Sequence, residues 1–283
     1  MLAVTAVRST TLPGGEAIPV LGQGTWGMAE GKHTREQELQ ALRLGLDLGM
    51  TLIDTAEMYA NGGAEKLVGE AIADRRDQVF LVSKVLPHNA SRSGTLNACE
   101  RSLRRLRTDH IDLYLLHWRG QIPLEQALSA FEALLRNGKI RYWGVSNFDL
   151  SDMKEVESLT RGEAVATDQV LYNLQRRGIE YDLLPWCRQR QIPVMAYSPI
   201  EQGRMLNHAT LRAIAESHGA TPAQVALAWV LRQEKVVAIP RAGVPEHIRQ
   251  NRGALDLQLT SQDLAELDRD FPPPLEPQPL EMI

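Results

Sequence analysis

The chain has 283 residues, of which 43% are hydrophobic and 23% charged, an ordinary balance for a globular fold. A formal net charge of −4 gives no reason to expect nucleic acid or an anionic membrane as a partner, and no apolar run is long enough to span a bilayer. The opening "MLAVTAVRSTTLPGG" has no positive segment ahead of its short apolar stretch, so no secretory signal is expected, and the two cysteines make no disulfide framework. A reducing cytoplasm is the expected compartment.

In chain order, short apolar runs alternate with segments of helical period. The candidate strands are "VLGQGTW" from Val20, "TLIDT" from Thr51, "VFLVSKV" from Val79 and "IDLYLLH" from Ile111. They continue with "RYWGVSN" from Arg141, "ATDQV" from Ala166, "PVMAYSP" from Pro193 and "VVAIP" from Val236. Between them lie helical spacings such as Leu39, Leu42 and Leu46, or Leu124, Leu128, Phe131 and Leu135, the last ending near Gly138. Cys99 falls on such a stripe, with Leu96, Leu103 and Leu106, where a buried inert thiol is expected. Apolar strands alternating with helices imply a parallel sheet covered by helices, and eight units in about 250 residues predict a closed (β/α)8 barrel over a single domain, residues 1–283. An open doubly wound sheet is the alternative, but no G-x-G-x-x-G opens a helix after the first strand. The tail "FPPPLEPQPLEMI" is proline-rich and cannot be a helix interior.

In a barrel of this kind the C-terminal strand ends form the active face. Asp54 ends the second strand and Tyr59 lies in the loop after it; Lys84 is near the end of the third strand and His117 ends the fourth. A lone tyrosine in such a loop is usually packing, and a lone histidine after an apolar strand is more often a hydrogen-bonded core residue. Lys84, flanked by "FLVS" and "VL", has little water nearby and needs a partner, which Asp54 can be. A tyrosine phenol has a reference pKa of about 10 and becomes a useful acid only if a nearby positive charge stabilises the phenolate. Lys84 can supply that charge, Asp54 can hold the lysine protonated, and His117 can orient a bound carbonyl oxygen. That arrangement protonates an oxygen while a hydride from a bound cofactor attacks the carbon. A lysine-dependent aldolase, with Lys84 forming a Schiff base, is a second reading of the same residues.

The stretches "GMTLIDTAEMY…AEKLVG", "SLRRLRTDHIDLYLLHW", "KIRYWGVSNF" and "MAYSPI" stand in an order that resembles the aldo-keto reductase family over essentially the whole chain. Within it, the chain is most similar to bacterial reductases of small dicarbonyls, the methylglyoxal reductase type. The resemblance implies a catalytic tetrad of Asp54, Tyr59, Lys84 and His117, no metal, and NADPH as cofactor, with NADH weaker. It places Ser146, Asn147 and Gln169 on the nicotinamide carboxamide and Tyr197 on the ring face. Gly24 and Thr25 would lie under the cofactor, and Trp26, Ser198, Pro199 and Ile200 would flank it. A non-catalytic, cofactor-sensing subunit of the same fold is a further alternative.

The third family signature departs from its usual pattern. In "IPRAGVPEHIRQN", Arg241 stands where a lysine is usual, Ala242 replaces a hydroxyl, His247 replaces an arginine, and Asn251 matches the adenine-reading residue. Arg241 can grip a 2′-phosphate bidentately, while the other two changes remove a donor and a permanent charge. Trp26, Met58, His88 and Trp118 are expected to line the substrate pocket, for which rim packing is the alternative for the tryptophans. Short connections after His117, Tyr197 and Phe271 suggest an open site accepting small aldehydes, dicarbonyls and aromatic aldehydes, in a protein that acts as a monomer.

Overall fold

The computed structural model describes residues 7–283, so part of the N-terminal stretch read for a secretory signal lies outside the described residues. The chain enters through a hairpin, β1 (Ser9–Thr11) and β2 (Ala17–Pro19), paired antiparallel with Thr10 opposite Ile18. The "LPGG" turn between them carries Gly15 at φ +87°, a left-handed conformation glycine adopts without strain.

Eight parallel strands follow in chain order. They are β3 (Gln23–Gly24), β4 (Leu52–Asp54), β5 (Phe80–Val85), β6 (Ile111–Leu116), β7 (Ile140–Ser146), β8 (Asp168–Leu171), β9 (Val194–Tyr197) and β10 (Val236–Ala238). Each pairs with the next in sequence. The first and last also meet: the Gly22 amide donates to Ala238 O at 2.9 Å and the Ala238 amide to Val20 O at 2.8 Å. The sheet is therefore a closed barrel, not an open doubly wound sheet. The first strand is shorter than its sequence suggests because it is wedged between two neighbours. A Cβ at Gly24 would lie 2.6 Å from Ile239 O, so only glycine permits this approach.

Helices α1 (Arg35–Asp47), α2 (Gly63–Ala71), α3 (Arg92–Leu106), α4 (Leu124–Arg136), α5 (Leu150–Ser158) and α6 (Leu183–Gln189) follow the first six barrel strands in turn. α7 (Ala209–Ser217) and α8 (Pro222–Leu231) precede β10, and α9 (Pro245–Gly253) and α10 (Ser261–Asp270) follow it. Local chemistry sets their starts. Thr34 with Gln37, Asp149 with Asp152, Thr221 with Gln224 and Thr260 with Asp263 form reciprocal capping boxes, each satisfying amides that would otherwise lack partners. α4 ends as expected, with Gly138 two residues beyond it at φ +66°.

The barrel interior is filled by Leu52, Val82, Leu113, Leu115, Met195 and Val237, among others, and the hairpin adds Leu12 and Ile18 to the same cluster. Burying each such side chain stabilises the fold by about 1.5–3 kcal/mol. Because the hairpin plugs the end where the strands begin, only the opposite end is left to open onto a cavity. Cys99 and Cys187 are both buried free thiols, and burial pushes the Cys99 thiol up to about 12, so it stays protonated and inert.

Candidate active site

The C-terminal strand ends surround a cavity of about 900 Å³. Asp54 is the last residue of β4, Lys84 is one residue short of the end of β5, and His117 directly follows β6. Tyr59 is presented by a tight turn in which Ala60 and Asn61 are left-handed, at φ 48° and 52°.

Lys84 Nζ donates to Asp54 Oδ2 at 2.7 Å, to Thr55 O at 2.9 Å and to Tyr59 OH at 3.0 Å. Its three protons are thus all engaged. The lysine is fully buried and does not line the cavity, whereas Tyr59 and His117 do. Asp54 is fixed on its other side as well, because Gln169 Nε2 donates to Oδ1 at 2.8 Å. Thr25 is buried away from the cavity, and its hydroxyl donates to Asp54 O at 2.9 Å, so it buttresses the aspartate.

Electrostatics follow from burial. Burial works to lower the Lys84 pKa, but Asp54 and then Tyr59 favour the cation, and the net shift is upward. Burial raises the Tyr59 pKa, Lys84 pulls it back down, and Asp54 adds to the rise; the net is above the ordinary value. The sequence argument expected the lysine to make the phenol more acidic overall. Instead it offsets part of a larger desolvation effect. His117 is pushed down to about 2, by burial first and by the Lys84 charge second. Its imidazole is therefore neutral throughout the physiological range.

This has a consequence for stability. An unfolded histidine gains its proton below about pH 6.5, and the folded one resists it, so stability is full above that pH and falls on acidification. His117→Gln should therefore lose about 2.5 kcal/mol less stability than wild type between about pH 7 and about pH 4.5. Denaturant titrations at the two pH values measure this, and equal losses in both proteins would show that the imidazole titrates freely in the fold.

A polar wall closes one side of the cavity. Ser146 Oγ donates to Gln169 O at 2.8 Å, and Asn147 Nδ2 donates to His117 O at 3.1 Å. Tyr197 OH donates to Asn147 Oδ1 at 2.9 Å. The cavity's other walls include Gly24, Ser198, Pro199, Ile200, Arg241 and His247, with Asn251 alongside. Arg241 Nη2 donates to Gly27 O at 3.0 Å and lies 3.9 Å from Glu38 Oε1. Arg241 Nε and Asn251 Nδ2 are buried donors without a hydrogen-bond partner among the described residues. Two unpartnered donors in residues lining one cavity are what a phosphorylated, base-containing ligand would satisfy.

At the other end, Trp26, Met58 and Trp118 line the cavity around Tyr59. Trp26 meets Tyr59 edge-on with centroids 5.1 Å apart, and His117 lies 5.8 Å from the Tyr59 ring. Three residues expected to contact a ligand are off the cavity, Thr25 as described above and two others. His88 is exposed and off the cavity, because Pro87 starts a short 3₁₀ turn, Pro87–Asn89, that carries it to the surface. Ala242 is buried and does not reach the cavity, since it faces the core next to the strand end.

The sequence matches the aldo/keto reductase family over residues 20–269. The chain belongs to the aldo/keto reductase family. It is 53% identical over 275 residues to methylglyoxal reductase YeaE of Escherichia coli (strain K12), covering 95% of this chain and 97% of that protein. It is 32% identical to glyoxal reductase of Bacillus subtilis (strain 168), covering 93% of each. Among solved structures, an aldo-keto reductase from Klebsiella pneumoniae in complex with NADPH superposes with a TM-score of 0.96 at 51% identity, covering 99% of this chain and 100% of that one. The barrel and family read from the sequence stand. The Schiff-base reading finds no support, because a lysine saturated by three acceptors and held protonated is not a nucleophile.

Several cavity residues carried no sequence signal. The short loop after Tyr197 still walls the cavity with Gln202, Gly203 and Leu206, and the C-terminal tail folds back to contribute Met282 and Ile283. Arg176 ties these two segments together by pairing with Glu201 at 3.2 Å and also with Glu281. The site is consequently more enclosed than the lengths of its loops suggested.

Proposed function

We propose that the protein is an NADPH-dependent reductase of small aldehydes and dicarbonyls of the methylglyoxal type, acting as a monomeric, single-domain enzyme of the cytoplasm. The observation that carries the reading is the hydrogen bond of 3.0 Å from the buried Lys84 ammonium to the hydroxyl of Tyr59, a phenol that faces the cavity. The names of the relatives point to the same class of substrate.

When bound, NADPH supplies the hydride that the carbonyl carbon accepts. Tyr59 releases its proton to the carbonyl oxygen as that oxygen becomes an alkoxide. Lys84 stabilises the phenolate left behind, and Asp54, braced by Gln169 and Thr25, keeps the lysine charged and in place. His117, being neutral, can donate one hydrogen bond to the same oxygen without competing for the proton. Gln169, Ser146 and Asn147 would hold the nicotinamide carboxamide, with Tyr197 against the ring. Arg241, His247 and Asn251 would hold the adenosine phosphate end, and NADH would bind more weakly for want of the 2′-phosphate. Trp26, Met58 and Trp118 give the substrate an apolar wall suited to small or flat carbonyl compounds. Every one of these residues comes from one chain, which is why a monomer suffices.

The test is direct. Purified protein mixed with NADPH and methylglyoxal should consume the reduced cofactor's absorbance, and faster than with NADH. Failure to oxidise NADPH with methylglyoxal, glyoxal and an aromatic aldehyde alike would overturn the reading.

A further inference from the structure

The family's third signature leaves this chain short of charge at the phosphate end of the cavity. Ala242 is apolar and does not line the cavity, and His247 stands where the family pattern has an arginine. Arg241 itself is not free to act at full strength, because the buried carboxylate of Glu38 lies 3.9 Å away. Another cation stands close by. Lys32 lines the same cavity, with Arg241, His247, Gln250 and Asn251, and it is exposed. Among the described residues it makes no hydrogen bond or ion pair of its own.

The segment bearing Lys32, residues 26–33 between β3 and α1, is pinned at several points. The Ala29 amide donates to Glu38 Oε2 at 2.9 Å, with Ala29 left-handed at φ 60°. Arg241 grips Gly27 O. The His33 ring packs against Gly243, where an added Cβ would lie 2.3 Å from His33 Cδ2. That last contact fixes the residue next to Lys32 against the 241–247 segment, which carries the phosphate-end residues. α1 then starts at the Thr34 cap, so the chain cannot swing away. A flexible side chain with three donors, rooted on a fixed loop beside Arg241, is suited to meet a phosphate as a point charge.

We propose that Lys32 is a cofactor-selectivity residue, supplying at the 2′-phosphate the second permanent positive charge that Ala242 and His247 do not provide. The assignment rests on Arg241 marking the phosphate end of the cavity, as in the proposed function. Glu38 serves it as a positioning residue, since one carboxylate holds both the Lys32 loop and the neighbourhood of Arg241.

The experiment is equilibrium binding of NADPH and of NADH, followed by quenching of tryptophan fluorescence, with Trp26 on the cavity wall as reporter. No turnover is needed. Lys32→Ala should weaken NADPH about three- to tenfold at low salt and change NADH by less than about twofold, as expected for a solvent-facing charge on a phosphate. Its NADPH affinity should also depend less steeply on salt than that of wild type. Lys32→Arg should retain the wild-type ratio. Arg241→Ala, measured alongside, separates the two ideas. If it lowers the NADPH-to-NADH ratio and Lys32→Ala does not, the Lys32 proposal is wrong and the cavity assignment stands. If neither variant changes the ratio, the phosphate end itself has been misplaced. Equal weakening of both cofactors by Lys32→Ala would also overturn the proposal, because it would place the lysine away from the 2′-phosphate.

Discussion

Replacing Tyr59 by phenylalanine is expected to lower the rate of carbonyl reduction by a factor on the order of 10² to 10⁴, the usual range for loss of a general acid. The phenol is the cavity-facing member of the Lys84–Tyr59 pair, so its hydroxyl is the proton source nearest a bound carbonyl. Its pKa is raised by burial, with Lys84 acting in the opposite direction. The resting enzyme is therefore fully stocked with the proton at neutral pH, and the lysine's contribution appears as the proton leaves. Phenylalanine keeps the ring that packs edge-on against Trp26, so the cavity shape and the affinity for NADPH should be nearly unchanged. Single-turnover absorbance decay is the proper measurement, because steady-state rates in such enzymes are often limited by product or cofactor release. A variant that retains more than about a third of the wild-type single-turnover rate would remove Tyr59 from the role of acid.

The convergence of Asp54, Tyr59, Lys84 and His117 was legible in the sequence because they sit at or just beyond strand ends, where the barrel topology alone brings adjacent strands together. Asp54, Lys84 and His117 needed no knowledge of loop geometry, only strand order and the rule that function gathers where the strands finish. Residues on loops were harder. His88 was expected near the substrate because it follows a strand, but Pro87 starts a turn that sends it outward. Lys32 carried no sequence signal, since the contact that fixes the adjacent His33 is with Gly243, far away along the chain. The tail was unreadable for a related reason: prolines excluded a helix without saying where Met282 and Ile283 would end up. The hairpin has a sequence signal in "LPGG", a turn between two short segments. Sense could also be misjudged where position was right. Lys84 was correctly placed beside Tyr59, yet the net shift of the phenol depends on how deeply it is buried, which no spacing reveals.

Lys84→Met is expected to damage both catalysis and stability, and a compensating change separates the two. Lys84 is wholly buried, and Asp54 is nearly so, so removing the ammonium leaves the carboxylate with the Gln169 amide as its remaining side-chain donor. Breaking a buried pair from one side costs about 3–5 kcal/mol, because the surviving charge is left without its counter-ion. The variant should unfold at correspondingly lower denaturant. Its single-turnover rate should fall by a factor on the order of 10² or more, since no cation then favours the phenolate of Tyr59. The limb of the rate profile assigned to the tyrosine should move to higher pH, because the one nearby group that lowers its pKa by charge and by hydrogen bond is gone. Asp54→Asn alone should move that limb less than Lys84→Met does, because losing a carboxylate that raises the phenol's pKa opposes the effect of a lysine held less firmly. The double variant Asp54→Asn with Lys84→Met removes both charges together. It should regain most of the stability lost by Lys84→Met, since a neutral amide is far less costly to bury than a lone carboxylate. It should regain none of the rate. Recovery of rate together with stability would mean that Lys84 acts only as a structural counter-ion, and that the proton of Tyr59 leaves without its help.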